Sequence, residues 1–378
     1  MKQTKRLLSL FALASLSVLA QAQTVYMSGL NSPRGLFVDA DGTVFVAEAG
    51  SGGGPNGPQV TVGAGLATFG LTGGISYRKG LDPQVAMFSN LPSVATLSSG
   101  EAVGTHDILR ANDGRLAVLT GMGGNPTSRA SLGSDADRMG TLSLYDQNTG
   151  TWSIDTDFLA KEAAVNPDGN PVFDSDPFGF AHNGTGFAVA DAGANAAWIG
   201  SGFTAFSTRM EPNPFNPGSD VPMQSVPTSI VARPGGGWMV GELTGFPFVP
   251  GTARLHELAA DGTLIQSLEL GLTNIIDLAY DAHGDLLVLE HSSTGLLSGG
   301  TGSLKRILSD GTIQTVISGL DTPTSFALSN DGFLYVTSNS YAPGVGQVLQ
   351  YKYEAVPEPI TMAALGLGFV GVLRRRRK

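Results

Sequence analysis

Four carboxylates recur at one point of a repeating pattern. Glu48, Asp191, Glu242 and Glu290 each end a short apolar run that follows a glycine-containing turn, Asp41-Gly42, Asn183-Gly184, Gly235-Gly236 and His283-Gly284 in the four cases. Two further copies of the run close on Thr120 and Ser338. If these runs are strands related by rotation, the four carboxylates lie on one ring, and an oxygen-rich ring suits Ca²⁺ or a similar hard cation. A metal held there could polarise an ester or lactone carbonyl. The same position also suits a local task, accepting the N–H groups of the neighbouring turn.

Two more acids sit in register with each other. Two residues into each copy stand Gly35, Asp107, Gly179, Ser229, Asp277 and Ser325, so Asp107 and Asp277 are expected to line a central channel. His106 beside Asp107 has the composition of an acid/base pair. Alternation along a strand sends adjacent side chains to opposite faces, which predicts that only one of them lines the channel. His182, His256, His283 and His291 are scattered, and His283 fills a turn. Asp135-Ala136-Asp137-Arg138-Met139-Gly140 with Asp146 partly mimics a calcium loop, but Met139 stands where a ligand belongs. There is no G-x-S-x-G, H-E-x-x-H or phosphate-binding loop. The absence of cysteine removes disulfides, thiolate metal sites and cysteine nucleophiles.

The elements that carry these residues are read from the repeat itself. Copies start at residues 33, 105, 177, 227, 275 and 323, and each is an apolar strand, a turn and a second apolar strand. Asp-Gly and Asn-Gly supply the positive φ of a hairpin turn, and the flanking β-branched and aromatic residues fit a pleated buried strand. The last four starts are 48 to 50 residues apart, the length of one four-stranded blade. Six units predict an all-β, six-bladed β-propeller over residues 24–353, because closure leaves no sheet edge exposed. The first two units are 72 residues long. Their extra lengths, Ser51 to Gly74 and Gly121 to Gly140, are rich in Gly, Ser and Pro and read as long loops on one face, either binding loops or flexible decoration. A short helix is expected around Phe158–Ala164. The Phe-Pro segment Gly245–Pro250 is expected to pack between blades.

Composition agrees with many short strands and tight turns: 378 residues, 52 Gly and 21 Pro in a chain that is 42% hydrophobic. Residues 24–353 hold 14 Lys and Arg against 30 Asp and Glu, a net charge of −16. So acidic a body offers no electrostatic footprint for nucleic acid.

The basic charge is concentrated at the ends. Residues 1–22 read as a signal peptide for signal peptidase: Lys2, Lys5 and Arg6, the apolar run Leu7–Ala20, then Ala20-Gln21-Ala22. Residues 356–378 hold Pro357-Glu358-Pro359, fourteen uncharged residues Ile360 to Leu373, and Arg374, Arg375, Arg376, Arg377 and Lys378. A 14-residue helix spans roughly 21 Å, short of the ~30 Å hydrocarbon core, and the cations would hold the end on the cytoplasmic side. This order resembles the PEP-CTERM sorting signal. The resemblance implies an exosortase-type processing enzyme as partner and transient or permanent inner-membrane insertion. It further implies delivery to the cell surface or extracellular matrix of a Gram-negative bacterium.

The body resembles the propeller family named for ScyD and ScyE, associated with scytonemin pigment clusters. Ser28-Gly29-Leu30-Asn31-Ser32-Pro33-Arg34-Gly35, Asn166-Pro167-Asp168-Gly169, Ala190-Asp191-Ala192-Gly193-Ala194-Asn195 and Gly241-Glu242-Leu243-Thr244-Gly245-Phe246-Pro247-Phe248 carry the resemblance. It implies the six-bladed fold and secretion, and brings no catalytic residues. The function expected is a non-catalytic binding or scaffold protein for a ligand, an exopolysaccharide or a surface protein. The alternatives are a metal-dependent hydrolase of lactones or sugar esters, and an accessory protein for an aromatic metabolite.

Overall fold

The computed structural model describes residues 23–353; the expected signal peptide and sorting tail lie outside the described residues. Each repeat forms an antiparallel sheet, numbered I to VI here in chain order. Sheet II is representative: Thr105–Arg110, Leu116–Thr120, Thr141–Asp146 and Thr151–Asp157 pair in sequence order. The other inner strands are Pro33–Val38, Pro177–His182, Pro227–Ala232, Ile275–Tyr280 and Phe326–Leu328. The turn after each inner strand is built as its composition predicts. In sheet I, Gly42 takes φ +83°, its N–H reaches the Asp39 carbonyl, and Asp41 accepts from Thr43 N–H.

The inner strands touch one another in cyclic order, I to II and on through VI back to I. A separate apolar cluster fills each junction. Phe45, Ile75, Ile108 and Val118 pack between sheets I and II; Leu119, Leu142, Val189 and Trp198 pack between II and III. The same occurs at III–IV, IV–V, V–VI and VI–I. Burial of paired sheet faces is therefore what holds the ring together.

Glycines at the third inner-strand position let the strands approach at the centre. A Cβ on Gly35 would lie 2.2 Å from Asp107 Oδ1, and one on Gly179 would lie 2.5 Å from the Thr228 carbonyl oxygen. Five inner strands also slip register at their start, between Pro33/Leu36, Thr105/Asp107, Pro177/Gly179, Pro227/Ser229 and Ile275/Asp277.

Sheet VI is assembled from both ends of the described chain. Phe326–Leu328, Phe333–Ser338 and Gly346–Lys352 come from its own repeat, and Thr24–Leu30 pairs antiparallel along Gly346–Lys352 as the outermost strand. The six repeat starts gave no sign of that strand.

The two insertions are ordered, contrary to their reading as long loops. Gln59–Val62 pairs with the start of Gly65–Lys79, a 15-residue strand that belongs to sheet I. Pro126–Ala130 is a short helix capped by Asn125, followed by a 3₁₀ turn at Ser134–Ala136. Val60, Val62, Phe69, Met122, Leu132, Met139 and Leu159 form a cluster of their own, so the insertions pack on each other as a cap. Met139, at the would-be ligand position of the calcium-like loop, is fully buried in this cluster. A helix does occupy Phe158–Val165. A further hairpin, Arg209–Pro212 with Asp220–Met223, leaves the chain between sheets III and IV.

Candidate functional site

The inner strands start, and the second strands end, on the face that carries the cap. Of the polar residues singled out by sequence, His106, Asp107, Asp277 and His291 join one sheet to the next. At four of the repeat starts the backbone carbonyl accepts from a side chain of the neighbouring sheet. Thr324 Oγ1 donates to Pro33 O (2.9 Å), His106 Nδ1 to Pro177 O (3.1 Å), Thr228 Oγ1 to Ile275 O (2.7 Å) and His291 Nδ1 to Pro323 O (2.7 Å). Because a carbonyl only accepts, both imidazoles carry their proton on Nδ1. His291 Nε2 then accepts from Tyr341 Oη at 2.7 Å. Burial pushes His106 down to about 3 and His291 to about 4, so both rings are neutral near pH 7.

Two residues after the repeat start, a second set of bonds crosses three of the junctions, II–III, V–VI and VI–I. Asp107 Oδ2 accepts from Phe180 N–H (3.1 Å) and Asp277 Oδ2 from Phe326 N–H (3.0 Å) and Ser325 Oγ (2.7 Å); Ser325 Oγ accepts in turn from Leu36 N–H (3.0 Å). Asp107 and Asp277 are half-buried. Burial, and then the charge of Asp277, push Asp107 well above the usual carboxylate range. Burial raises Asp277 to about 6 against the opposing pull of its donors.

His106 is buried while Asp107 is half-buried. Both reach sheet III, and a register slip at Thr105/Asp107 accompanies that shared reach.

The four strand-end carboxylates are each clasped within their own surroundings. Glu48 accepts from Asn31 N–H (2.7 Å) and Ser76 Oγ (2.6 Å). Asp191 accepts from Asp176 N–H, Ala194 N–H, Ser175 Oγ and Trp198 Nε1, at 2.7 to 3.2 Å. Glu290 accepts from Thr273 N–H (2.8 Å), Ser303 Oγ (2.9 Å) and Lys305 Nζ (2.8 Å). Glu242 meets Arg209 (2.7 Å), Arg254 (2.9 Å), Ser225 Oγ (2.7 Å) and His256 Nε2 (3.2 Å). Burial pushes Glu242 up, but the bonds to His256 and Arg254 outweigh it and hold the carboxyl at about 2. Glu48, Glu290, Ser175 and Ser225 show one scheme: the carboxylate ties down the residue one or two places before the inner strand, fixing the approach to the channel. Among the described residues, no group of three or more His, Asp or Glu side chains is placed to hold a metal ion.

Arg34, 4% exposed, spans the VI–I junction at the same mouth and also ties the inner strand of sheet I to that sheet's last strand, Ala102–Val103. Its guanidinium donates to Ser340 O (2.8 Å) and Ala102 O (2.8 Å). Sequence reading passed over it, although it is the residue after the repeat start, as His106, Thr228 and Thr324 are.

The segment Gly245–Pro250 divides between two environments. Pro247 is buried and Phe248 half-buried, as expected of packing between sheets, but Phe246 turns outward. It is 39% exposed and stacks on Phe215, itself 72% exposed, with ring centroids 5.8 Å apart and planes within 6°. Phe215 stands in the Arg209–Met223 hairpin, which sequence reading left unremarked.

A second group escaped notice entirely. The helix Phe158–Val165 buries Glu162 at 1% exposure, and Asp191, Asp168 and Asp174 all act on it electrostatically. The signal was the acidic run Asp168…Asp174-Ser175-Asp176.

Residues 355–378 match the family model for the PEP-CTERM protein-sorting motif. That motif is recognised by exosortase-type processing enzymes and marks the chain for export and surface sorting. No curated protein matches the chain. Among solved structures, a protein described as a putative gluconolactonase aligns at 11% identity, over 90% of this chain and 96% of its own, with a TM-score of 0.47. A calcium-binding protein, regucalcin, from Agrobacterium tumefaciens aligns at 12% identity over 89% and 97%, TM-score 0.47. The WD40 β-propeller domain of Doa1 aligns at 10% identity over 87% and 96%, TM-score 0.44. No residue role or activity is carried over from these likenesses.

Proposed function

We propose that this chain is an exported six-bladed β-propeller, membership of the ScyD/ScyE-like group included. In this reading it acts at the cell surface as a non-catalytic protein that binds extracellular polysaccharide. The observation that carries the binding reading is the fate of the polar side chains at the channel mouth. Arg34, His106, Asp107, Thr228, Asp277, His291, Thr324 and Ser325 hold the sheets to one another. What the face offers outward is the Phe215–Phe246 stack, flanked by the amide-bearing turn of Asn213 and Asn216. A flat apolar surface beside hydrogen-bonding groups matches the apolar faces and hydroxyl rims of sugar rings.

Retardation of the purified protein in gels containing the producing cell's exopolysaccharide tests this. Phe215→Ala with Phe246→Ala should abolish retardation without lowering the melting temperature. Equal retardation of parent and double variant would sink the proposal.

A hydrolytic reading rests on Asp107 and Asp277, half-buried and electrically coupled. It requires turnover of a lactone or sugar-ester panel that disappears in Asp107→Asn. No turnover across the panel, with or without Ca²⁺, removes it.

A further inference from the structure

Beneath the cap, three buried side-chain oxygens lack any hydrogen-bond partner: Glu162 Oε2, Asn166 Oδ1 and Asp174 Oδ1. All are oriented as acceptors. Glu162 comes from the buried side of the helix Phe158–Val165. Asn166 caps that helix in the left-handed conformation, its N–H on the Glu162 carbonyl and its Nδ2 on Asn170 O. Asp174 lies between the two insertions and sheet III. A Cβ on Gly63 would sit 2.2 Å from its Oδ2, and one on Gly123 would sit 4.0 Å from its Oδ1. The cap is joined to this spot by Gly63 N–H on Gly123 O (2.7 Å) and Gly123 N–H on Ser175 O (3.1 Å).

The charges facing Glu162 are all negative. Asp168 and Asp174 come from the loop after the helix, and Asp191 from sheet III. The nearby cations are engaged elsewhere: Arg129 with Asp157 and the Met139 carbonyl, and Lys161 with Gly200 O over the Trp198 ring. Asp168 and Asp191 already accept from Asn170, Asn195, Ser175 and Trp198, so they form the wall and not the ligand set.

Unpartnered buried acceptors are costly, and carboxylates crowded without a cation more so. We propose that Glu162, Asp174 and the Asn166 carboxamide bind one hard divalent cation of the calcium class, which fastens the cap to sheet III. Two carboxylates and an amide oxygen, completed by water or backbone carbonyls, make the oxygen-only, mixed-charge set that Ca²⁺ accepts and softer metals do not. This is separate from the strand-end ring, whose carboxylates are satisfied by protein donors.

The test uses the exported body in its full length, stripped with a chelator and titrated with Ca²⁺ while the melting temperature is followed. Tb³⁺ titration supplies an independent reading, since the Trp198 indole lies against Asp191 at 3.0 Å and would sensitise an ion bound beside it. Half-saturation is expected on the order of 10⁻⁴–10⁻³ M, as in extracellular calcium modules. Glu162→Gln should lose the Ca²⁺ shift and the Tb³⁺ emission. Asp174→Asn carries the same test should the first variant fail to fold. A Ca²⁺ shift of equal size in the parent and both variants, or none in the parent, overturns the proposal.

Discussion

His106 and Asp107, adjacent in the chain, both reach across the same junction to sheet III, one to the Pro177 carbonyl and the other to the Phe180 N–H, each at 3.1 Å. One supplies a donor and the other an acceptor, so a single dipeptide locks the neighbouring strand in register. Asp107→Ala leaves the Phe180 and Ile108 amides without their acceptor. The expected loss is about 1–3 kcal/mol per buried donor. Asp107→Asn keeps one acceptor oxygen and should lose less. Urea unfolding of the three proteins checks the order; an alanine variant as stable as the parent would remove the bridge from the account.

Glu242 is fully buried under Arg209, Arg254 and His256. Glu242→Gln strands two guanidiniums and should cost about 3–5 kcal/mol. Its folded carboxyl is held near 2, below the unfolded value. The stability it contributes is therefore complete above about pH 5 and is lost as pH falls toward 2. Thermal melts of parent and variant should converge at the acid end.

Asp277 gives the opposite slope. Its folded carboxyl is raised to about 6, so between about pH 4 and 6 the native state holds more protons than the unfolded chain. Stability falls as pH rises through that window, by roughly 2–3 kcal/mol in all. Asp277→Asn should flatten this part of the pH–stability curve, whatever it does to the absolute value. A variant with the parent's slope would show that Asp277 does not titrate there.

Ser28 and Gln347 are paired residues on the two strands that close sheet VI, and both reach the surface. The chain has no cysteine, so Ser28→Cys with Gln347→Cys can form only one bridge. Closing so long a loop should stabilise by about 5 kcal/mol on chain-entropy grounds. Melting under oxidising and reducing conditions measures it. Failure to oxidise in the folded protein would contradict the pairing.

The six inner strands and their turns were legible because each repeat carries its signal within about twenty residues, as in Thr322–Thr337 with its Asp331-Gly332 turn. What escaped lies at longer range. Thr24–Leu30 finds its partner more than 300 residues away, and nothing local announces that pairing. The first insertion was taken for a loop because Gly and Pro dominate Ser51–Pro58. Its strands gain stability only by burying Val60 and Val62 against Met122 and Leu159. The strand-end carboxylates were correctly spaced, but spacing cannot tell a metal ligand from a clasp. The deciding groups, Asn31, Ser175, Ser225 and Thr273, come from the approach to the strand. The shared reach of His106 and Asp107 to sheet III accompanies a one-residue slip that periodicity does not register.

The strand Gly346–Lys352 is held on one side by Phe333–Ser338 and on the other by Thr24–Leu30. Everything after Lys352 pulls on that strand. If the sorting tail tethers the protein, the load enters the body at a strand zipped along both edges, and extracting it means shearing two hydrogen-bond ladders together. A terminal strand bonded along one edge would peel; this one resists as a wedge. The closure that completes the ring thus also braces the strand from which any pull on the tail would enter the body.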